Sequence, residues 1–418
     1  TDFTPMIVWS RLVRLLFSCV IFLLPMQTYS DNGADLQSLA SSEEWRKLIH
    51  YEAAGFSADK ARSYVDDDRF FLAPEGRHNP QSELHATLQA FYAPVAGNVD
   101  DHPRCRFVAR YRWLTEQQGL DATTVAPIAC KSYAEWRGQI RADSLVLVYA
   151  SAHLNSPSSM YGHTLFRIDP PADIASSSWL SWGISFGANI PKDEAAIVYA
   201  YKGIAGGYPG LFNVQPFYEK IEQYSKMENR DLWEYRLNLS PTELDRVVEH
   251  LWELKDINFA YYFFDENCAY RLLELLEFAR PAAQLTTKFH GTTIPVDTVR
   301  VIRDAGFIDE THYRPSSETR LQARMKTLSW QERALANELM RGERVINDPA
   351  VVALEPASRY AVYDMAYRAL RFRERKQARD SELAKRSLAL LREINALSAY
   401  RSDSEPVRPT EPESGHDT

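Results

Sequence analysis

Residues 261–276 read YYFFDENCAYRLLELL, and an aromatic segment here passes directly into an amphipathic helix. Asn267 is a preferred N-cap residue, so the helix is predicted to begin at Cys268. A thiol at the first helical position faces the positive end of the helix dipole, which lowers its pKa and favours the thiolate. The stretch therefore predicts a nucleophilic cysteine at the start of a helix.

A nucleophilic cysteine needs a histidine as its base or ion-pair partner, and His163 is the best candidate. It opens a predicted strand directly after the turn residue Gly162. Histidine then precedes cysteine in the chain, but such sites are defined by geometry and not by order. His153 is a second candidate base, and Ser185 and Asn189 are candidates to orient the ring. The competing interpretation is a buried structural thiol and an unrelated histidine.

The composition describes a globular chain of 418 residues, 45% hydrophobic and 25% charged, with a net charge of −8. These values exclude a disordered chain, a collagen-like fibre and a polytopic membrane protein. A mildly acidic chain also lacks the dominant basic face that nucleic-acid binding requires, so no nucleic-acid partner is expected. No motif predicts a cofactor. A metal site is not expected either, because the cysteines form no closely spaced pair.

The segment from Met6 to Ser30 has the three parts of a secretory signal peptide. Its apolar core is too short to span a bilayer, which takes about 20 residues. We expect residues 1–30 to direct export to the periplasm, with an uncleaved membrane anchor as the alternative. In an oxidising compartment Cys105 and Cys130 are reasonable disulfide partners, and two unrelated buried thiols are the alternative.

The rest of the chain divides into four predicted regions. These are a mostly helical domain at 31–135, a catalytic domain at 136–300, a helical region at 301–400 and a disordered tail or linker at 401–418. Apolar or alternating runs predict strands at 144–150, 163–168, 180–186 and 232–237. The glycine-rich stretch 201–210 is predicted to be a loop, either a flexible hairpin or a lid over a site.

Three motifs in this order resemble the Lnb N-terminal periplasmic domain family, whose founding members are bacterial lipoprotein N-acyltransferases. They read SPSSMYGHTLFR at 156–167, RDLWEY at 230–235 and NCAY at 267–270. The resemblance implies an α+β fold with a circularly permuted, papain-like (NlpC-like) catalytic domain. In that fold a small antiparallel sheet packs against the Cys268 helix, and helical segments flank it.

The resemblance also implies a function, that of a periplasmic cysteine acyltransferase acting on phospholipid or lipoprotein. Cys268 would carry the acyl group as a thioester, His163 would be its base, and the Cys268 backbone N–H would form part of an oxyanion hole. A cysteine peptidase or amidase acting on peptidoglycan stem peptides is the main alternative. A non-catalytic envelope scaffold is the second.

Three further features have two interpretations each. The aromatic run 261–264 is a candidate floor for an acyl groove or packed core. Arg230 and Asp231 form a structural ion pair or contact the substrate. The basic run Arg368–Arg379 is a solvated helix face or a contact with anionic lipid, which would suit a lipid substrate.

Overall fold

The computed structural model describes residues 33–51, 62–117, 119–151, 161–173, 180–190, 195–222, 230–263, 266–289, 291–374 and 381–401. Several predicted features lie outside these residues. They are the signal peptide at 1–30, the candidate base His153, the aromatic residue Phe264, part of the basic run and the tail after Arg401.

Along the described part of the chain, α-helices alternate with single strands or short runs of strands. The helices are α1 (Gly33–Ser41), α2 (Glu43–Leu48), α3 (Pro80–Tyr92), α4 (Pro103–Arg106), α5 (Val108–Glu116), α6 (Lys131–Ile140), α7 (Ala196–Ala205), α8 (Phe217–Ile221), α9 (Pro241–Glu253), α10 (Cys268–Ala279), α11 (Pro295–Asp304), α12 (Ser317–Thr327), α13 (Trp330–Arg341), α14 (Pro349–Val352), α15 (Pro356–Glu374) and α16 (Ser381–Ala396). The strands are β1 (Ser144–Ala150), β2 (His163–Asp169), β3 (Trp182–Ala188), β4 (Tyr208–Pro216), β5 (Leu232–Leu237), β6 (Phe259–Tyr261) and β7 (Ile308–Arg314).

Within the described residues the seven strands form one sheet, in the order β6-β4-β3-β2-β1-β5-β7. Every neighbouring pair is antiparallel. This confirms the predicted α+β class, in which helices flank an antiparallel sheet. The sheet is larger than the four strands that were predicted, and the permuted papain-like topology stays a prediction.

The interior strand β1, which lies between β2 and β5, is buried on both faces, which explains its continuous apolar sequence. Leu145, Leu147 and Tyr149 join the main core, to which α10 also contributes. Val146, Val148 and Ala150 pack on the opposite face with Phe217 and Leu232. Helix α10 lies against β2 and β3, so its first residue is held close to the sheet.

The glycine-rich stretch 201–210 is not a loop, which corrects the prediction. It contains the end of α7 and the start of β4. Gly206 ends the helix with a positive φ of 75°, a conformation that glycine adopts without strain. A side chain at Gly203 would meet Phe263, and one at Gly210 would meet Phe186. These glycines therefore serve a helix end and close packing.

The region after residue 300, predicted to be helical, includes the edge strand β7. Tyr313 of this strand packs against Trp233 of β5, with ring centroids 4.9 Å apart. The strand is mostly exposed, so its sequence carries little of the apolar signal that marks a buried strand.

The helical N-terminal region shares its core with the sheet, because Trp45, Phe70 and Phe107 belong to the same buried cluster as α10. A second cluster, from Leu328 to Leu397, forms a separate core in the C-terminal helices. The predicted domain boundaries themselves stay predictions. The predicted disulfide is confirmed, since Cys105 and Cys130 are bonded with their Cα atoms 5.2 Å apart. Among the described residues, the helices are all too short or too polar to cross a membrane.

Candidate active site

The start of α10 is held by Asn267, which is 5% exposed and lies at the N-cap. Its Oδ1 accepts hydrogen bonds from the backbone N–H groups of Ala269, at 3.0 Å, and Tyr270, at 3.3 Å. Two of the otherwise unpaired N–H groups of the first turn are satisfied in this way. The helix consequently begins at Cys268, the residue that follows the cap.

The amide nitrogen of Asn267 binds in the opposite direction, away from the helix. Nδ2 donates to the carbonyl of Thr293 at 2.7 Å and to the carbonyl of Phe263 at 3.3 Å. One side chain thus connects the helix start to the segment before it and to the segment that precedes α11. A polar group buried to this degree is stable only when its donors and acceptors are paired.

His163 is the first residue of β2, and the residue before it sets its approach to the sheet. Gly162 has a φ of 93°, which is strained for any residue with a side chain. A Cβ built there would lie 2.6 Å from the ring of Tyr149 on β1. Both the positive φ and the contact with Tyr149 therefore require glycine at position 162. His163 itself pairs with Ala150, the last residue of β1.

These two elements bring the cysteine and the histidine into contact. The Sγ atom of Cys268 lies 2.9 Å from Nδ1 of His163. Cys268 is 1% exposed and is the free cysteine among the described residues. For Nδ1 to accept the thiol proton, the neutral ring must carry its own hydrogen on Nε2. The pair then has the geometry of a nucleophile with its base.

Burial disfavours charge on both members of the pair. Burial raises the pKa of Cys268 to about 11, and the backbone N–H groups of Thr164 and Ala269 only partly oppose this effect. Burial, followed by the positive charges of Arg230 and Lys220, lowers the pKa of His163 to about 3. The prediction that the helix dipole yields a resting thiolate is therefore wrong, because desolvation outweighs it.

Arg230 supplies a buried positive charge near the pair. It is 2% exposed, and its guanidinium donates to the carbonyl of Ser151 at 2.6 Å and to that of Ala150 at 2.9 Å. It thus holds the end of β1, where Ala150 pairs with His163. Its charge favours the anionic thiolate and disfavours a protonated imidazole.

The neighbouring Asp231 binds in another direction. Its carboxylate accepts from the hydroxyl of Tyr313, the backbone N–H of Ser316 and the hydroxyl of Thr319, at 2.7 to 2.9 Å. Arg230 therefore binds β1 while Asp231 binds the end of β7 and the segment after it. From the sequence, Arg230 and Asp231 were considered as a pair, and the effect of the Arg230 charge on Cys268 was not predicted. The sequence feature that could have indicated it is the position of Arg230 at the start of the RDLWEY motif.

The two candidates to orient the His163 ring lie in or just after β3. Ser185 is buried in β3, and its backbone pairs with Asn213 of β4. Asn189 is exposed just after β3, and its backbone N–H donates to the carbonyl of Pro209. An orienting role for either side chain stays a prediction. In the described part of the chain, no group of three or more His, Cys, Asp or Glu side chains is arranged to hold a metal ion.

Comparison with known proteins gives family matches over three segments. The family model described as the Lnb N-terminal periplasmic domain matches residues 132–305. Two models described as domains of unknown function, DUF7843 and DUF7842, match residues 37–117 and 311–403. Curated proteins and solved structures show no match to the chain. The first match confirms the resemblance seen in the sequence and fits a protein of the periplasmic cell envelope.

Proposed function

We propose that the protein is a cysteine acyltransferase acting on lipid or lipoprotein, starting from the match of residues 132–305 to the Lnb N-terminal periplasmic domain family. The observation that carries the proposal is the 2.9 Å contact between Cys268 Sγ and His163 Nδ1 at the capped start of α10. The acyl donor is a phospholipid ester, and the acceptor is an amine.

In the first half-reaction the thiol of Cys268 transfers its proton to Nδ1 of His163 as Sγ attacks the ester carbonyl. A carbon–sulfur bond forms, and the carbonyl oxygen becomes an oxyanion near the backbone N–H of Cys268. The ester carbon–oxygen bond then breaks, and the leaving alcohol takes the proton from His163. The product is an acyl thioester on Cys268.

In the second half-reaction an amine attacks the thioester. The carbon–nitrogen bond forms, the carbon–sulfur bond breaks, and the amine proton returns through His163 to the thiol. Because burial disfavours charge on both groups, His163 acts in this proposal as a general base and not as the partner of a preformed thiolate. Arg230 favours the negative charge that develops at sulfur during attack.

Mass spectrometry after incubation with a phospholipid labelled in its acyl chains tests this proposal. We expect a labelled acyl adduct on Cys268 that hydroxylamine removes, as it does a thioester. Cys268→Ser and His163→Gln should abolish the adduct or slow it at least about a hundredfold. The exposed His85→Gln is the matched control and should form the adduct at the rate of the unsubstituted protein.

The same preparation distinguishes the other candidate functions. Turnover of peptidoglycan stem peptides that depends on Cys268, without a lipid-derived adduct, would replace acyl transfer by the amidase or peptidase function. A protein with neither activity, although its fold is intact by circular dichroism, would be a non-catalytic envelope scaffold.

A further inference from the structure

Helix α7 exposes an apolar face to solvent. Its sequence, AIVYAYKGIA, contains a single charged residue, Lys202. Val198, Tyr201 and Ile204 are 40%, 71% and 61% exposed. Residues spaced by three lie on one side of a helix, so these side chains form a continuous strip, here named the α7 ridge. Single exposed apolar side chains are common on protein surfaces, but three in one strip on a helix with one charged residue are candidates for contact with an apolar partner.

The opposite side of α7 packs onto the segment that leads to Cys268. Tyr199 lies against Phe263, with ring centroids 5.1 Å apart. The carbonyl of Gly203 accepts a hydrogen bond from the backbone N–H of Phe263 at 2.8 Å. The carbonyl of Phe263 in turn accepts from Nδ2 of Asn267, the residue that caps α10. Two successive hydrogen bonds therefore connect α7 to the cap of the cysteine helix.

The size of the ridge argues against a second protein as its occupant. A helix of 10 residues is about 15 Å long and 10 Å wide, which limits the ridge to an area on the order of 150 Å². A stable protein interface needs about 800 Å² on each partner. A few apolar side chains do suffice for reversible attachment to a bilayer, where each buried group contributes independently.

The composition of the ridge also matches a lipid interface. Tyrosine is enriched at the level of the lipid headgroups, where its ring is apolar and its hydroxyl is hydrated. Lys202, the charged residue of the helix, is only partly exposed and its Nζ lies over the Tyr208 ring, 5.5 Å from the ring centroid, so the ridge itself is formed by uncharged side chains. The whole chain has a net charge of −8, so general electrostatic attraction to an anionic membrane is absent and attachment must be local.

We propose that the α7 ridge docks on the surface of a phospholipid bilayer and thereby brings Cys268 to its acyl donor. This inference rests on the proposed function, since it supplies the route by which a membrane-embedded ester reaches a buried thiol. It differs from the predicted contact through the basic run Arg368–Arg379, and the two surfaces can be tested separately.

Flotation with vesicles of phosphatidylethanolamine and phosphatidylglycerol, using the full chain, tests the docking. We expect the triple substitution Val198→Ser, Tyr201→Ser and Ile204→Ser to lower the vesicle-bound fraction about tenfold or more. Trp330→Ser with Val345→Ser is the matched control, because these side chains, one in α13 and one between α13 and α14, are 76% and 71% exposed. This control should float like the unsubstituted protein.

A soluble substrate separates docking from chemistry. Acylation of Cys268 by 4-nitrophenyl butyrate should be unchanged in the ridge variant, whereas acylation from vesicles should fall with the bound fraction. Vesicle binding without any acyl adduct on Cys268 would support the docking and refute the proposed function.

Three results would overturn the docking proposal. Vesicle binding by the ridge variant equal to that of the unsubstituted protein, with Cys268 still accepting acyl groups, is the first. Binding that is lost in Arg371→Gln with Arg373→Gln and retained in the ridge variant would assign the contact to the basic run. A dimer in light scattering that the ridge substitutions dissociate, without vesicle binding, would assign the ridge to a second copy of the chain.

Discussion

Cys268 is subject to two opposing physical effects. The first turn of α10 directs partial positive charge at the sulfur and favours the thiolate, while enclosure at 1% exposure removes the water that would stabilise an anion. The raised pKa shows that enclosure is the stronger effect. A neutral thiol is also protected from oxidation in the periplasm, because the thiolate is the reactive form.

The rate of alkylation of Cys268 by iodoacetamide should therefore rise with pH. The thiolate fraction grows about tenfold for each pH unit below the pKa of about 11, so no plateau is expected near neutrality. Cys268→Ser measures the background from other thiols. A rate that stays constant between about pH 5 and pH 8 would indicate a thiolate–imidazolium pair and contradict the neutral pair.

Substitution of Gly162 should separate the position of His163 from general stability. Gly162→Ala combines a positive φ with a clash against the Tyr149 ring, so the chain must shift directly before His163. We expect acyl transfer to fall about a hundredfold or more, because displacements near 1 Å have effects of this size. The rate of thioester formation on Cys268 is the measurement.

The control for this substitution is Gly97→Ala. Gly97 has a φ of 83°, but a Cβ there meets nothing within 4 Å. It should lose about 1 kcal/mol of stability through backbone strain, without any change in acyl transfer. Equal loss of activity in both variants would show that strain alone, and not the position of His163, accounts for the effect.

At the scale of single elements, α10 depends on its cap for both stability and position. Asn267→Ala removes the acceptor of the first turn and leaves the buried carbonyl of Thr293 without its donor. We expect a loss of about 2–4 kcal/mol in the free energy of unfolding, from about 1 for the cap and 1–3 for the orphaned carbonyl. Urea denaturation followed by circular dichroism measures it.

Asn79→Ala is the matched control, because Asn79 caps α3 with two similar bonds to the N–H groups of Gln81 and Ser82. Its loss should cost about 1 kcal/mol and leave acyl transfer intact. If Asn267→Ala cost no more than Asn79→Ala and kept full activity, the bonds to Thr293 and Phe263 would have no part in holding the site.

The strands differ in how far local sequence predicts them, for a physical reason. Strands β1, β2, β3 and β5 carry continuous or alternating apolar runs, because they are buried inside the sheet. The edge strands β6 and β7 are short or exposed, so their residues form strands only because a neighbouring strand offers hydrogen bonds. Strand β4 was hidden by the glycine-rich stretch at its start, in which Gly210 allows close packing against the Phe186 ring.

At the scale of the whole molecule, a buried ionic network connects the N-terminal helices α3 and α5 to helix α9. Arg110 is fully buried and donates to Glu83 at 2.7 Å and to the carbonyl of Phe70 at 2.8 Å. Its backbone N–H donates to Glu253 of α9 at 2.8 Å. Elements α3, α5 and α9 thus depend on one another, which agrees with their shared core.

Arg110→Met should cost about 3–5 kcal/mol, because it leaves Glu83 and Glu253 buried without their cation. Arg246→Met is the control. Arg246 of α9 pairs with Glu116 of α5 at 2.9 Å, and both side chains are about one third exposed, so its loss should cost less than about 1 kcal/mol. Similar urea midpoints for the two variants would contradict a structural role for the buried network.

The sequence by itself determined the features that depend on short segments. An asparagine cap directly before a cysteine sets the start of α10, and a glycine before a histidine sets the start of β2. Turn, cap and strand signals act over a few residues, so they can be read locally. The family motifs could be recognised for the same reason, and the fold class followed from them.

Only the tertiary structure decided the features that depend on distant segments meeting. It placed His163 against Cys268, positioned Arg230 at the end of β1, and enclosed the pair so that burial raises the pKa of the thiol and lowers that of the imidazole. Desolvation is set by everything that surrounds a group, whereas the helix dipole is set by the helix alone. The local signal therefore located the cysteine, and the enclosing fold sets the direction in which its pKa shifts.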